Sequence, residues 1–367
     1  MIRTLLWDTG PGEVRAGLTE AGALTELRIM RPRRGKPLLA AGELFTARVL
    51  RKIGPNKAMV AIGGGQEGLL HPARGLNEGV LVAAEMTRAP IPEPGRWKLP
   101  QLRPAPAVTA KKEPGWHGSH DAPEAFLRRE AARVSAIVCR DARSANSVRD
   151  TLAGHCPEVR IDLEAIAEAD LSGLIDSAVT GEFPIGEGML CIERTRAMTM
   201  IDIDGSGDPL TLNIAAAAEI GRLLRLLDIG GQVGIDFVTL DDRKARAAVD
   251  AALADACAAL GPHKRTAMNG FGFVQLIRPR TGPSVPEMLC GTLTGRLSRE
   301  SRAIALLREA DRSIGRGPRR LIAPPAIIDT IRQWPDELTQ LEASLGTAIE
   351  LVADPAATGY GHVHVSQ

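Results

Sequence analysis

The 367-residue chain carries 45 Lys+Arg against 44 Asp+Glu, a formal net charge of +1 at pH 7. Its 44% hydrophobic and 24% charged residues exclude a disordered tail protein and a highly basic nucleic-acid packager. This length exceeds one core, so two or three domains are expected, and any polyanion must be met by a local basic patch or by metal ions.

Residues 1–8 lack a charged leader followed by an apolar core, so no signal peptide is expected. No membrane span is expected either, because the apolar run 214–218 is interrupted by Glu219, Arg222 and Arg225, well short of the ~20 residues needed. Cys139, Cys156, Cys191, Cys257 and Cys290 are widely spaced and form no Cys-x-x-Cys pair, which points to reduced thiols in a cytoplasmic protein.

Along the chain, residues 1–36 alternate apolar and polar side chains about a turn at Glu20-Ala21-Gly22. They predict a short antiparallel unit ending in the basic stretch Arg31-Pro32-Arg33-Arg34-Gly35-Lys36, a linker or a phosphate contact. From 42 to 99, short β-rich runs such as 45–50 and 57–62 are separated by Gly54-Pro55-Asn56 and Gly63-Gly64-Gly65 turns, which suits a small barrel. Pro100, Pro104, Pro106 and Pro114 mark 100–120 as a loop or linker, since proline supplies no ladder donor. Residues 122–180 read as helices alternating with short strands, with 131–138 followed by 144–152 as examples. Strands are then expected at 189–193, 198–202 and 233–237, with a helix at 212–227 stopped by Gly230-Gly231. Asp241-Asp242 opens a helix over 243–260, and a closing strand and an α/β tail over 292–367 complete the chain.

Asp202 and Asp204 lie two apart on one predicted strand and leave the same face if the strand continues that far. Asp236 follows the apolar run Val233-Gly234-Ile235, where a buried carboxylate needs a partner: a protein cation, a metal or a proton. Two strand-end aspartates suit a hard divalent ion such as Mg²⁺, which takes oxygen ligands and retains waters; solvated strand ends are the plainer alternative. Asn213 and Glu219 fit either outer support of that site or ordinary surface positions. Lys264 and Arg265 fit a phosphate contact or a favourable helix C-terminus. The histidines, His71, His117, His120, His362 and His364 among them, match no His-Glu-x-x-His motif and read as structural or exposed.

Taken together, the run 191–204, Asn213 with Ala216-Ala217-Ala218-Glu219-Ile220, the run 223–237 with its Gly230-Gly231 pair, and the closing 271–280 resemble the ribonuclease E/G family. The resemblance extends more weakly over nearly the whole chain. It implies an α/β multidomain architecture: an RNase H-like part interrupted by an S1 (OB-fold) barrel, a 5′-end sensor, a DNase I-like catalytic part and a small C-terminal domain. The corresponding boundaries are 1–36 for the first RNase H-like part, 37–100 for the barrel, 101–121 for a linker, and 122–180 for a compressed sensor and RNase H-like region. The catalytic part then spans 181–291 and the small domain 292–367. The resemblance further implies an endonuclease that hydrolyses single-stranded RNA to 5′-phosphate and 3′-hydroxyl ends. Asp202 and Asp236 would hold Mg²⁺, with Mn²⁺ as a substitute, and Arg265 would match a basic residue after the long helix. A non-cleaving RNA-binding relative is the alternative.

The departures from the family pattern carry expectations of their own. Asp204 stands where the resemblance implies an Asn that orients the attack, and it removes N–H donors while adding charge. Met59 and Leu69 stand where aromatic side chains would stack bases, so RNA binding there is expected to be weaker or to lean on Arg96 and Lys98. Arg140 keeps the cation of a 5′-phosphate sensor, but Asp141 replaces its Thr and would repel the phosphate. Glu287-Met288-Leu289-Cys290 occupies the place of a Cys-x-x-Cys zinc link, so no structural zinc is expected. A homodimer through other surfaces is then compatible with the sequence, while the family's tetramer loses its main support.

Overall fold

The computed structural model describes residues 2–32, 39–118, 122–153, 157–169 and 171–366. Arg33, Arg34 and Lys36 of the basic stretch, the expected boundaries at 36/37 and 121/122, His120 and Cys156 lie outside the described residues. The fold is mixed α/β, with a closed five-stranded barrel and several separate sheets.

β1 (Arg3–Gly10), β2 (Glu13–Glu20) and β3 (Ala23–Met30) form an antiparallel meander. Then come β4 (Leu44–Lys52), β5 (Ala58–Gly63), β6 (Gln66–Leu70), β7 (Leu81–Arg88), the hairpin β8 (Ile91–Glu93) and β9 (Arg96–Lys98), β10 (Gln101–Pro104) and β11 (Gly115–Trp116). The ring β4-β5-β6-β10-β7 closes through β4–β7 pairing, which removes both sheet edges, and β11 adds to β4. Phe45, Val60, Ile62, Leu70, Met86 and Leu102 fill the barrel. The linker expectation for 101–121 is therefore corrected at both ends. Proline loses a donor but keeps its carbonyl: Pro100 O accepts from Leu69 N at 2.9 Å, and Pro104 sits at a strand end.

After the barrel come α1 (Ala122–Ala131), β12 (Ala136–Cys139), α2 (Ala142–Leu152), β13 (Glu158–Ile161), α3 (Leu163–Glu168) and α4 (Leu171–Thr180). Within 131–138 the fully buried Ile137 and Val138 take a central strand, and 144–152 falls in α2. β12 pairs in parallel with β1, giving the order β13-β12-β1-β2-β3, so chain segments on both sides of the barrel build one sheet. Trp7 stacks on Phe126 of α1 with ring centroids 6.5 Å apart.

The largest core belongs to β14 (Glu182–Ile185), β15 (Gly188–Arg194), β16 (Thr199–Gly205), α5 (Pro209–Leu226), β17 (Gly231–Asp236), α6 (Arg243–Cys257), β18 (Lys264–Arg265) and β19 (Phe273–Arg278). Its six strands run in the order β14-β15-β16-β17-β19-β18. Asp208 and Asp242 cap α5 and α6 by accepting from Thr211 N and Ala245 N. Both helices cover one face: Ala216, Ile220, Leu224, Val249 and Leu253 pack on Ile201, Ile203, Val233 and Ile235. α7 (Val285–Cys290) leads into α8 (Arg299–Arg312), β20 (Arg319–Ala323), α9 (Pro325–Arg332), α10 (Pro335–Leu345), β21 (Ile349–Ala353) and β22 (His362–Val365). The last three strands form a small sheet, β21-β20-β22.

A buried ionic network ties α8 to the first sheet. Arg308 pairs with Asp8, both nearly inaccessible, and Arg312 reaches the same carboxylate at 3.0 Å. Burial pulls the Arg308 guanidinium down to about 10 despite the opposing field of Asp8. Glu13 lies alongside: burial favours its protonated form, but Arg31, Arg15 and Arg308 together hold its carboxyl below the ordinary value. Among the described residues, no helix is long and apolar enough to cross a membrane.

Candidate active site

β16, α5 and β17 form a parallel β-α-β unit, since two parallel neighbours require a crossover and α5 supplies it. The register runs from Thr199↔Val233 to Asp202↔Asp236. Side chains alternate between faces, so Ile201, Ile203, Val233 and Ile235 enter the core, and Asp202, Asp204 and Asp236 leave the opposite, open face. Asp202 and Asp236 thus stand side by side at the carboxyl ends of adjacent strands, ~4.8 Å apart at strand spacing. Crevices at such strand ends are where open α/β sheets bind ligands. The expectation that Asp236 is buried is corrected: it is exposed, and the apolar run flanking it turns inward on the other parity.

On that open face Cys191 pairs with Asp202, Met189 with Asp204, and Glu182 with Cys191. Among the described residues, Glu182, Glu193, Asp202, Asp204 and Asp236 have no ion-pair partner. Burial raises the Cys191 thiol, and Asp204, Asp202, Glu182 and Glu193 raise it further, so its thiolate form is disfavoured among these carboxylates. The Asp202 Oδ1 accepts from Ile203 N at 3.1 Å. Asp204 is one pleat farther along and faces Met189, because β17 ends at Asp236 and offers it no neighbour. Among the described residues, no three or more His, Cys, Asp or Glu converge as a metal-ligand group. The donor set is therefore two carboxylates with open space around them. That fits a hard divalent ion that keeps waters and takes phosphate oxygens.

The remaining candidates are dispersed. Asn213 is fully buried; its Nδ2 donates to Val238 O at 2.7 Å and its Oδ1 accepts from Val238 N at 3.1 Å, fixing the chain two residues beyond Asp236. Glu219 is paired with Arg222 on α5 at 2.6 Å. Lys264 pairs with Ile277 on the open face, whereas Arg265 faces the helices and is held by Asp250 at 2.6 Å. Of the two, Lys264 is on the aspartates' side. Asp250, which also accepts from Met268 N at 3.1 Å, escaped the sequence reading because nothing local to α6 announces a bond to a strand 15 residues on.

Met59 and Leu69 are cross-strand neighbours on the barrel, both half-buried. Arg96 and Lys98 are exposed on the β8–β9 hairpin and share Glu93, at 2.8 and 2.5 Å. Arg140 is engaged by Asp311 at 2.7 Å, Asp141 at 3.1 Å and Asp8 at 3.7 Å. Burial opposes its charge, but these carboxylates raise its pKa overall. Asp141 also caps α2 through Ser144 N at 2.8 Å. Arg140 is thus a tie within the network beneath α8, already satisfied by three carboxylates.

A model described as the ribonuclease E/G family matches residues 117–281. That segment, less than half of the chain, is similar to the ribonuclease E/G family. Ribonuclease G of Salmonella typhimurium (strain SL1344) is 35% identical over 115 residues, 28% of this chain and 23% of that protein. Ribonuclease E of Haemophilus influenzae is 34% identical over 128 residues, 31% and 13% of the two chains. The chloroplastic Ribonuclease E/G-like protein of Arabidopsis thaliana is 30% identical over 148 residues, 35% and 14%. The matched stretch spans less than a quarter of the length of each of these relatives. The ribonuclease E/G segment contains Asp202, Asn213 and Asp236 but neither the barrel nor α8 to β22.

Proposed function

We propose that this chain is a divalent-metal-dependent endoribonuclease that hydrolyses single-stranded RNA to 5′-phosphate and 3′-hydroxyl ends. The observation that carries the reading is the Asp202↔Asp236 register, which sets side by side two carboxylates that have no ion-pair partner among the described residues. Asp202 and Asp236 would hold Mg²⁺, or Mn²⁺ in its place. When bound, the ion supplies polarisation of the phosphodiester and favours deprotonation of an attacking water. The chain's own residues do the rest. Asn213 fixes the segment after Asp236, and Lys264 offers the open face a cation for a flanking phosphate. Asp204, an acceptor only when ionised, adds negative charge where an amide would donate.

The domain reading accompanies this proposal: an S1-like barrel inserted into an RNase H-like sheet, a DNase I-like catalytic part and a small C-terminal domain. A closed barrel between β3 and β12 of one continuous sheet supports it. Free cysteines support a reducing, cytoplasmic setting. The extra charge of Asp204, with no third converging ligand among the described residues, favours one second reading, an RNA-binding relative without turnover. The test is cleavage of short single-stranded RNA with Mg²⁺ by the wild type, Asp202→Ala and Asp236→Ala. Loss of cleavage in both variants is expected. Cleavage undiminished in both would overturn the metal assignment, and RNA binding without cleavage by wild type across metals would select the second reading.

A further inference from the structure

The open face beside the aspartates carries an apolar patch that the metal reading does not use. Gly234 has no side chain, and the space its Cβ would fill is occupied by Met200 Sδ at 2.8 Å, the Phe273 ring at 2.8 Å and Met198 Sδ at 3.1 Å. These three side chains converge over the strand two residues before Asp236, and Phe273 is the register partner of Asp236 itself. Phe271, 83% exposed, is not part of the patch: it stands at the tip of the turn before β19, past Asp236.

The turn that leads into Phe273 is fixed. Asn269 Oδ1 accepts from Phe271 N at 2.9 Å and Phe273 N at 3.0 Å, and Gly272 O accepts from Phe237 N at 3.2 Å. Gly272 lies at φ +87, and a Cβ there would stand 2.5 Å from Phe237 O, so the turn tolerates only glycine.

Charge on either side of the patch identifies what would cover it. Beyond Met198, away from the aspartates, lies a cleft of about 450 Å³ bordered by Arg88, Arg194 and Arg196, and by Lys98 and Arg280, which pair with its carboxylates Glu93 and Glu287. Arg88, Arg194 and Arg196 bond only main-chain carbonyls there, of Leu99, of Gly291 and Leu293, and of Pro94. The face therefore runs from a cationic cleft, across a sulfur and aromatic surface, to a carboxylate pair suited to a metal-held phosphate. An unpaired nucleotide strand has that alternation: an anionic phosphate, a base with a π-face, then the next phosphate. Stacking on such a surface accepts any base.

We infer that Met198, Met200 and Phe273 over Gly234 form a nucleobase-stacking platform. It seats one unpaired RNA base between the scissile phosphate at Asp202 and Asp236 and a neighbouring phosphate held in the arginine cleft. The inference rests on the nuclease reading for which phosphate is cut, but not for binding. It also supplies the stacking surface that Met59 and Leu69 lack on the barrel.

The test is a double-mutant cycle read by fluorescence anisotropy in EDTA, so that binding is measured whether or not the protein cleaves. A labelled ten-nucleotide single-stranded RNA is compared with versions carrying one abasic site at each position in turn, using the full chain as wild type and Phe273→Ala. Phe273 is half-buried, so folding of the variant is checked by circular dichroism. Expected are a roughly 10-fold weaker Kd for Phe273→Ala, a similar loss for wild type with the abasic site at one position, and no further loss when the two are combined. Gly234→Ala, whose added methyl must push Met200, Phe273 and Met198 aside, should weaken binding in the same position-specific way. Equal Kd values for wild type and Phe273→Ala, additive effects of variant and abasic site, or no RNA binding by wild type would each overturn the platform. Failure of the nuclease reading would appear separately, as an intact binding cycle in a protein that does not cleave with Mg²⁺.

Discussion

Asn213→Ala is expected to loosen the loop behind Asp236 at a cost of ~2–4 kcal/mol. The side chain is 0% exposed and makes two hydrogen bonds to a single residue, donating to Val238 O at 2.7 Å and accepting from Val238 N at 3.1 Å. Each such bond contributes roughly 1 kcal/mol net, and a main-chain group left without a partner costs about 1–3 kcal/mol when buried. Val238 is only half-buried, so water can reach part of the deficit, which sets the sum nearer the lower figures. Supports of this kind are worth about 10-fold in metal affinity or activity, and a rise of that order in half-saturating Mg²⁺ is expected. Urea midpoints by circular dichroism, with hydrogen exchange of the peptide over 231–240, measure the effect without relying on cleavage. Asn213→Asp adds a pH signature. The introduced carboxyl can accept from Val238 N, but only its protonated form can donate to Val238 O. Burial raises its folded-state pKa above the unfolded value, so stability is restored at low pH and lost as pH rises through the folded pKa. A midpoint for Asn213→Ala within about 0.5 kcal/mol of wild type, with unchanged exchange over 231–240, would refute the clamp, because ordinary surface substitutions fall in that range.

Three further outcomes follow from the same geometry. Because Arg140 already meets Asp311, Asp141 and Asp8, cleavage of one RNA with a 5′-monophosphate or a 5′-hydroxyl should proceed at rates within about 3-fold, a difference under 1 kcal/mol, and a strong monophosphate preference lost in Arg140→Ala would contradict this. Lys264→Ala should weaken RNA binding and flatten its salt dependence, while Arg265→Ala, which breaks the Asp250 pair behind the sheet, should lower stability by ~1–3 kcal/mol and leave the salt slope unchanged; the reverse assignment would show that the two exchange faces in solution. Glu13 has a depressed carboxyl, so its stabilisation is present above the unfolded-state pKa and lost as pH falls through the lower folded value. Glu13→Gln should therefore reduce stability at neutral pH and flatten the acid limb of urea midpoints against pH, and parallel limbs for variant and wild type would count against the buried network.

The sequence by itself determined what is local. Period-two alternation marked Asp202 and Asp204 for one face of a strand, the glycine turns marked the barrel strands, and Asp242 marked the start of α6. The run 191–237 was sufficient to suggest the family that residues 117–281 match. Tertiary structure decided every pairing between distant segments. Only the parallel register puts Asp236 beside Asp202, and only sheet parity turns Lys264 outward and Arg265 toward Asp250. Asn213 looked like a surface or supporting residue until α5 packed it against Val238, 25 residues away. Arg140 kept the residue type of a phosphate receptor, yet its role was decided by Asp8 and Asp311, brought to it from opposite ends of the chain. The physical reason is that a side chain's alternation depends on its own backbone, whereas its partner depends on strand order and helix packing, which the whole core fixes together.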